Sequence, residues 1–160
     1  MTKAQHTDSR AQRGPGALSR WIQRRANART STRIRRRGGK MMGMEVLILH
    51  TTGRISGQAR ETPLAWLADG DDAWLVVASG GGSRHPDWYL NLTANPARAA
   101  IEFHGRDPIP VAPSELTGSA RDEAWRRIAG AQPRIAKYQR KSDRQYPVIR
   151  LARSVTEDAR

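Results

Sequence analysis

Two short segments hold more functional groups than a purely structural domain requires. In Thr51-Thr52-Gly53-Arg54-Ile55-Ser56-Gly57-Gln58-Ala59-Arg60 an extended run ends in hydroxyls, a glycine turn offers backbone N–H groups, and Arg54 and Arg60 frame the turn. Hydroxyls, turn amides and two guanidinium groups are what a phosphate or carboxylate needs. The same residues also fit an ordinary hairpin with solvated arginines. In the second segment Ser79, Gly80, Gly81 and Gly82 lead through Arg84 and Pro86 to Trp88, Tyr89, Leu90 and Asn91. A glycine-rich loop entering a helix N-terminus lets a flat ring or an anion approach the backbone, with the helix dipole favouring the anion. Without a ligand the same segment is a loop and a helix cap, with Trp88 in the core. Asn91, between Leu90 and Leu92, either caps a neighbouring strand or faces a ligand.

Other chemistries find less support. The histidines His6, His50, His85 and His104 lack paired ligand spacing, and the chain has no cysteine, so no metal site is expected. There is no phosphate-loop lysine motif and no Gly-x-Ser-x-Gly elbow, and Gly80-Gly81-Gly82 does not continue into a dinucleotide fingerprint.

The charge is uneven. The chain of 160 residues has a net charge of +13. Residues 1–40 hold twelve Lys and Arg against the single acid Asp8, a balance of +11, which leaves +2 for the remainder. A basic arm on a nearly neutral domain points to an anionic partner for the arm alone, such as a phospholipid surface. Nucleic acid is disfavoured, because the arm has one aromatic residue, Trp21, and no recognisable motif. No apolar run is long enough to span a bilayer or to serve as a secretory signal. A cytoplasmic protein is expected, with possible attachment at the inner face of the membrane.

The elements that must position these groups follow from periodicity. Residues 1–15 are polar and expected to be disordered. Leu18, Trp21 and Ile22 share one face of a short basic helix, and Arg33 to Gly39 reads as a linker. That apolar face suits an anionic membrane surface, or equally packing on the main domain. Val46-Leu47-Ile48-Leu49 is a continuous apolar run, predicting a strand buried on both faces. Ala59 to Leu67 and Ala73 to Ala78 predict two more strands, joined by a tight reversal at Asp69-Gly70-Asp71-Asp72. A helix from Pro86 to Asn95 follows, then strands at Ala99 to Phe103 and Ile109 to Ala112. A helix from Ser119 to Gly130, a helical or irregular stretch around Ile135 and Tyr138, and a last strand from Pro147 to Leu151 complete the order. Connections this short exclude parallel crossovers, so an α+β barrel of about six mostly antiparallel strands with inserted helices is expected. The implied organisation is a basic arm over 1–40, a barrel domain over 41–153 and a tail over 154–160.

Over roughly residues 44–151 the sequence resembles the deazaflavin-dependent nitroreductase and quinone reductase family, split β-barrel proteins that use coenzyme F-420. The resemblance rests on Thr51-Thr52-Gly53-Arg54, Gly57 and Arg60, then Pro63-Leu64 and Ala78-Ser79 with Gly81-Gly82. It continues through Pro86, Trp88-Tyr89, Asn91-Leu92 and Ala94-Asn95-Pro96, and returns in Tyr138-Gln139, Asp143-Arg144 and Pro147-Val148. It implies an FMN-binding-like split barrel and a cofactor with a planar deazaflavin, a phosphate and a polyglutamate tail, with FMN itself less expected. It further implies that Arg54, Ile55, Ser56 and Arg60 hold the phosphate and tail. Pro63, Leu64, Val77, Ala78, Ser79 and Gly80 would line the ring, with Asp87, Trp88, Tyr89, Leu90 and Asn91 contributing from the helix. Ser79 would fix the ring or the acceptor, and Tyr138 would orient the acceptor or give it a proton. The acceptor implied is a quinone, nitro or related organic molecule; the alternative is a non-catalytic barrel that holds a cofactor or lipid. Where relatives often carry lysines this chain has Ile55 and Gly80, and where some carry tyrosines it has Ala65, Gln132 and Ile135.

Overall fold

The apolar run of β2 (Met44–Thr52) demands cover on both faces, and the architecture supplies it. A computed structural model describes residues 17–41, 43–80 and 83–155. The expected disorder of residues 1–15, the side chain of Leu18, Gly81-Gly82 and most of the 154–160 tail lie outside the described residues.

Around β2 run β1 (Lys40–Met41), β3 (Ala59–Ala65), β4 (Leu67–Ala68), β5 (Ala73–Val77), β6 (Ala100–Glu102), β7 (Ile109–Glu115) and β8 (Val148–Arg153). All pairings are antiparallel, in the order β1-β2-β6-β7-β8-β5-β4, with β3 pairing β2. The curled sheet encloses Leu47, Leu49, Val76, Ile101 and Leu151 in its main core. β3 has no second described partner, which is why its middle tolerates Pro63 opposite Ile48. The extended run expected through Leu67 breaks at Trp66, where the chain passes from β3 to β4. Helices α2 (Asp87–Ala94), α3 (Gly118–Ala131) and α4 (Pro133–Lys141) are inserted between strands. The six expected strands and three later helices are therefore present, together with the two-residue strands β1 and β4, which are too short to carry a periodic signal.

The N-terminal segment differs from expectation. Helix α1 spans Ala17–Arg37, taking in residues 33–37 of the segment 33–39 that reads as a linker. It is rich in Arg, a good helix former, and Arg35, Arg36 and Arg37 in its last turn complement the helix dipole. Gly38, at φ 67°, then ends it, with its N–H bonded to the Ile34 carbonyl at 2.9 Å. His104 Nδ1, 2.9 Å from the Arg35 carbonyl, caps the same end.

The helix face that docks is also not the apolar one. Trp21 and Ile22 are 48% and 55% exposed, and Arg25 stacks over the Trp21 ring. Instead Ser31 and Ile34 are buried, and Ile34 packs with Val46 and Ile48 on the outer face of β2. Arg35 then bridges Glu61 of β3 and Glu102 of β6: Nε donates to Glu102 Oε1 at 2.7 Å and Nη2 to Glu61 Oε1 at 2.5 Å. His50 Nε2 donates to Glu102 Oε2 at 2.8 Å, completing the cluster. The expected boundary at residue 40 is thus no structural break, because α1 is the outer cover of β2.

Candidate functional site

The turn after β2 is built for close approach. Gly53 N–H bonds to the Gln58 carbonyl at 2.8 Å, and Gly57 N–H to the Gly53 carbonyl at 2.8 Å. A Cβ on Gly53 would lie 2.6 Å from Ser56 Oγ, so only glycine fits the turn unshifted. Gly57 sits at φ 67°, a conformation that glycine adopts without strain.

Asn91 of α2 fixes this turn from the other side. Its Oδ1 accepts from the Arg54 backbone N–H and from Arg54 Nη1, both at 3.1 Å. The buried amide therefore does what a strand cap does, while one edge remains in the cleft. Replacing Asn91 with Leu strands the Arg54 N–H. It is expected to cost about 1–3 kcal/mol of stability, measured by chemical denaturation.

Turn, α2 and α1 enclose a cleft of about 370 Å³ lined by five arginines, Arg20, Arg24, Arg54, Arg60 and Arg84. Two carboxylates face it, and both are engaged: Glu61 by Arg35, and Asp87 by Arg54 at 3.4 Å. Arg60 is different. Its guanidinium bonds the neutral Ser56 Oγ at 3.1 Å and Gln58 Oε1 at 3.4 Å, and no carboxylate pairs with it among the described residues. A net cationic cleft with turn amides and a hydroxyl fits a phosphate.

A second, more apolar cavity of about 210 Å³ adjoins the same strand. Pro63, Leu64, Val77 and Ile128 form its walls, with Ser79, Gln132 and Tyr138 as its polar groups. Such a slot fits one side of a planar ring. β3 is the common wall: Arg60, Glu61 and Thr62 face the cationic cleft, and Pro63, Leu64 and Ala65 the apolar cavity.

The residues expected from sequence fall into these two places. Arg54, Ile55, Ser56, Arg60, Asp87, Trp88, Leu90 and Asn91 line the cleft, and Pro63, Leu64, Val77, Ser79 and Tyr138 line the cavity. Ala78, Gly80 and Tyr89 line neither. Ala78 is fully buried in the core, and its carbonyl accepts from Arg144 Nη1 at 3.0 Å. Gly80 is exposed, and its carbonyl accepts from Arg144 Nη2 at 2.6 Å. Tyr89 donates its hydroxyl to Glu115 at 2.7 Å. Burial first, and then this carboxylate, push its phenol up to about 12, so it straps α2 to β7 as a neutral donor. Trp88 is mostly core, 8% exposed. Arg20, Arg24 and Arg144 were not singled out as site residues; only the Asp143-Arg144 pair carried a signal, within the resemblance.

The model of the F420H(2)-dependent quinone reductase family matches residues 20–153. An F420H(2)-dependent quinone reductase of Mycobacterium tuberculosis (strain H37Rv) is 33% identical over 150 residues, covering 85% of this chain and 98% of that protein. The solved structure of an F420-H2 dependent reductase, FDR-A, is 35% identical with a TM-score of 0.58, covering 66% of this chain and 92% of that one. A further structure, described as a domain-swapped dimer, is 30% identical with a TM-score of 0.59, covering 84% of this chain and 99% of that one.

Proposed function

The chain belongs to the F420H(2)-dependent quinone reductase family, and from that premise we propose that it is an oxidoreductase that passes a hydride from reduced coenzyme F-420 to a quinone. The carrying observation is the single strand β3, which presents Arg60 to an anion-binding cleft and Pro63 and Leu64 to an adjoining apolar slot. A cofactor with a phosphate at one end and a planar ring at the other would lie along that strand.

When bound, the coenzyme supplies the hydride, and the chain supplies binding, orientation and exclusion of water. Arg54, Ser56 and Arg60 would hold the phosphate, with Arg84 lining the same cleft. Leu64 and Val77 would flank the ring, and the backbone around Ala78 and Gly80 is held in place by Arg144. Ser79 offers the ring or acceptor a hydroxyl. Tyr138, 46% exposed at the cavity rim, orients the acceptor. Ala65, Gln132 and Ile135, where some relatives have tyrosines, line the same apolar cavity. Among the described residues no helix is long and apolar enough to cross a membrane.

Mixing the protein with reduced coenzyme and menadione should return the oxidised coenzyme's absorbance catalytically. In Ser79→Ala the kcat/KM is expected to fall about tenfold, the weight of one hydrogen bond at a reacting centre. Binding without turnover of any quinone or nitroaromatic would instead favour a cofactor or lipid carrier.

Gly80→Lys probes one departure from the lysine pattern. Gly80 is not among the positive-φ glycines, and a Cβ there meets only Pro86 Cβ, at 3.8 Å. The added ammonium is expected to tighten the coenzyme about tenfold at low salt, with the gain shrinking as ionic strength rises. A titration at two salt concentrations reads both effects.

A further inference from the structure

α1 has an inward face that its membrane-like sequence conceals. Arg20, Arg24, Asn27, Ser31 and Ile34 recur every three or four residues, so they lie on one stripe of the helix. The C-terminal half of that stripe is anchored: Ser31 and Ile34 are buried, and the adjacent Arg35 is clamped between Glu61 and Glu102. The N-terminal half of the same stripe overhangs the cleft, where Arg20, Gln23, Arg24 and Asn27 form the wall facing Arg60 and Arg84. Arg24 Nε donates to the Arg20 carbonyl at 3.2 Å, which leaves its Nη groups as further donors over the cleft. Neither Arg20 nor Arg24 has a carboxylate partner among the described ion pairs. Trp21 and Ile22 lie off this stripe and are exposed.

We propose that α1 is a wall of the coenzyme site: Arg20 and Arg24, with Gln23 and Asn27 as neutral donors, bind the carboxylates of the anionic chain that extends beyond the phosphate. This rests on the deazaflavin reading of the cleft. The phosphate end is held by the turn and Arg60. A chain of carboxylates leaving it must cross the cleft, and the facing wall carries two guanidiniums and two amides at successive turns of one helix. Guanidinium forks match carboxylate geometry, and a row of them on one helix face suits a repeating anion better than a single phosphate. The arm's charge is therefore divided, one part turned toward the coenzyme and the other, with Arg25, Arg29 and Arg33, toward solvent.

The test is a fluorescence titration of the full-length protein and of an Arg20→Ala/Arg24→Ala variant. Three ligands are used: coenzyme F-420 with a long glutamate chain, the coenzyme with a single glutamate, and the deazariboflavin lacking both phosphate and glutamates. The parent should prefer the long chain, and the variant should lose about tenfold in affinity for it, while binding the single-glutamate form and the deazariboflavin within about twofold of the parent. Arg60→Ala should instead weaken both phosphorylated forms. Raising ionic strength should erase the chain-length preference in the parent. Equal affinities of parent and variant for the long chain would overturn the proposal. So would a variant that keeps the chain-length preference but no longer sediments with phosphatidylglycerol vesicles, since the arginines would then serve a membrane. A parent that binds none of the three ligands would sink the deazaflavin reading itself, an outcome distinct from either. Far-ultraviolet circular dichroism of the variant checks that α1 is retained.

Discussion

Arg35→Ala is expected to destabilise the fold by about 2–3 kcal/mol. Glu102 is 8% exposed and takes two hydrogen bonds from Arg35, so removing the guanidinium leaves a buried carboxylate with His50 as its remaining described partner. Breaking a buried pair from one side costs about 3–5 kcal/mol, and the figure is reduced here because Arg35 and Glu61 keep some contact with water. Arg33→Ala, on the exposed face of the same helix, should change stability by less than about 0.5 kcal/mol. The pH dependence follows from Glu102, whose carboxyl is held below its ordinary value of 4.5, chiefly by the hydrogen bond from Arg35. A depressed carboxyl contributes stability that is complete above the unfolded value and is lost as pH falls through the folded one. The gap between parent and variant should therefore be open at neutral pH and close as pH falls below about 4.5, through the folded value. Urea denaturation at stepped pH measures it; a gap that widens in acid would contradict the role given to Glu102. Deleting residues 1–40 should be worse still, since it removes Ile34 and Arg35 together and uncovers Val46 and Ile48. The loss would approach the whole stability of a small domain.

Arg60→Ala is expected to weaken coenzyme binding by about 1.5–3 kcal/mol, at least tenfold in dissociation constant. Arg54 should matter less, because Asp87 and Asn91 already engage it and a bound anion must compete with them. Among the described residues Arg60 has no carboxylate competitor, and the neutral Ser56 Oγ and Gln58 Oε1 hold it toward the turn. The two single variants, compared by equilibrium titration, should rank in that order. An unchanged constant for Arg60→Ala would return this residue to an ordinary solvated surface.

The barrel was legible because its strands alternate cleanly or run apolar between turn residues, and because the short connections left only antiparallel pairing. The site's two segments were legible because Gly53, Arg54 and Arg60, like the Gly80 loop before Pro86, are uncommon combinations. α1 was misread for a definite reason. Trp21 and Ile22 form the visible apolar face, yet docking uses Ser31, Ile34 and an arginine held by two distant acids. No local period marks a pair such as Arg35 and Glu102, 67 residues apart. One clue did lie in the sequence. Val46 to Leu49 required cover on both sides, and the inserted helices α2, α3 and α4 leave the outer face to α1. Arg20 and Arg24 were hidden by their own number, since a run of arginines gives no sign of which of them turn inward. Ala78, Gly80 and Tyr89 sit in the right segments, but their work is positional: two carbonyls held by Arg144 and a hydroxyl strapped to Glu115.

The most direct measurement is an absorbance titration of the purified full-length protein with oxidised coenzyme F-420 and, separately, with FMN at the same ionic strength. Both ligands offer a flat ring and a phosphate, but only the coenzyme continues into the longer anion that the five-arginine cleft suits. Saturable binding of the deazaflavin, at least about tenfold tighter than FMN and weakening as salt rises, is the predicted result. Equal or tighter binding of FMN, or no saturable binding of the deazaflavin at low salt, would contradict the account.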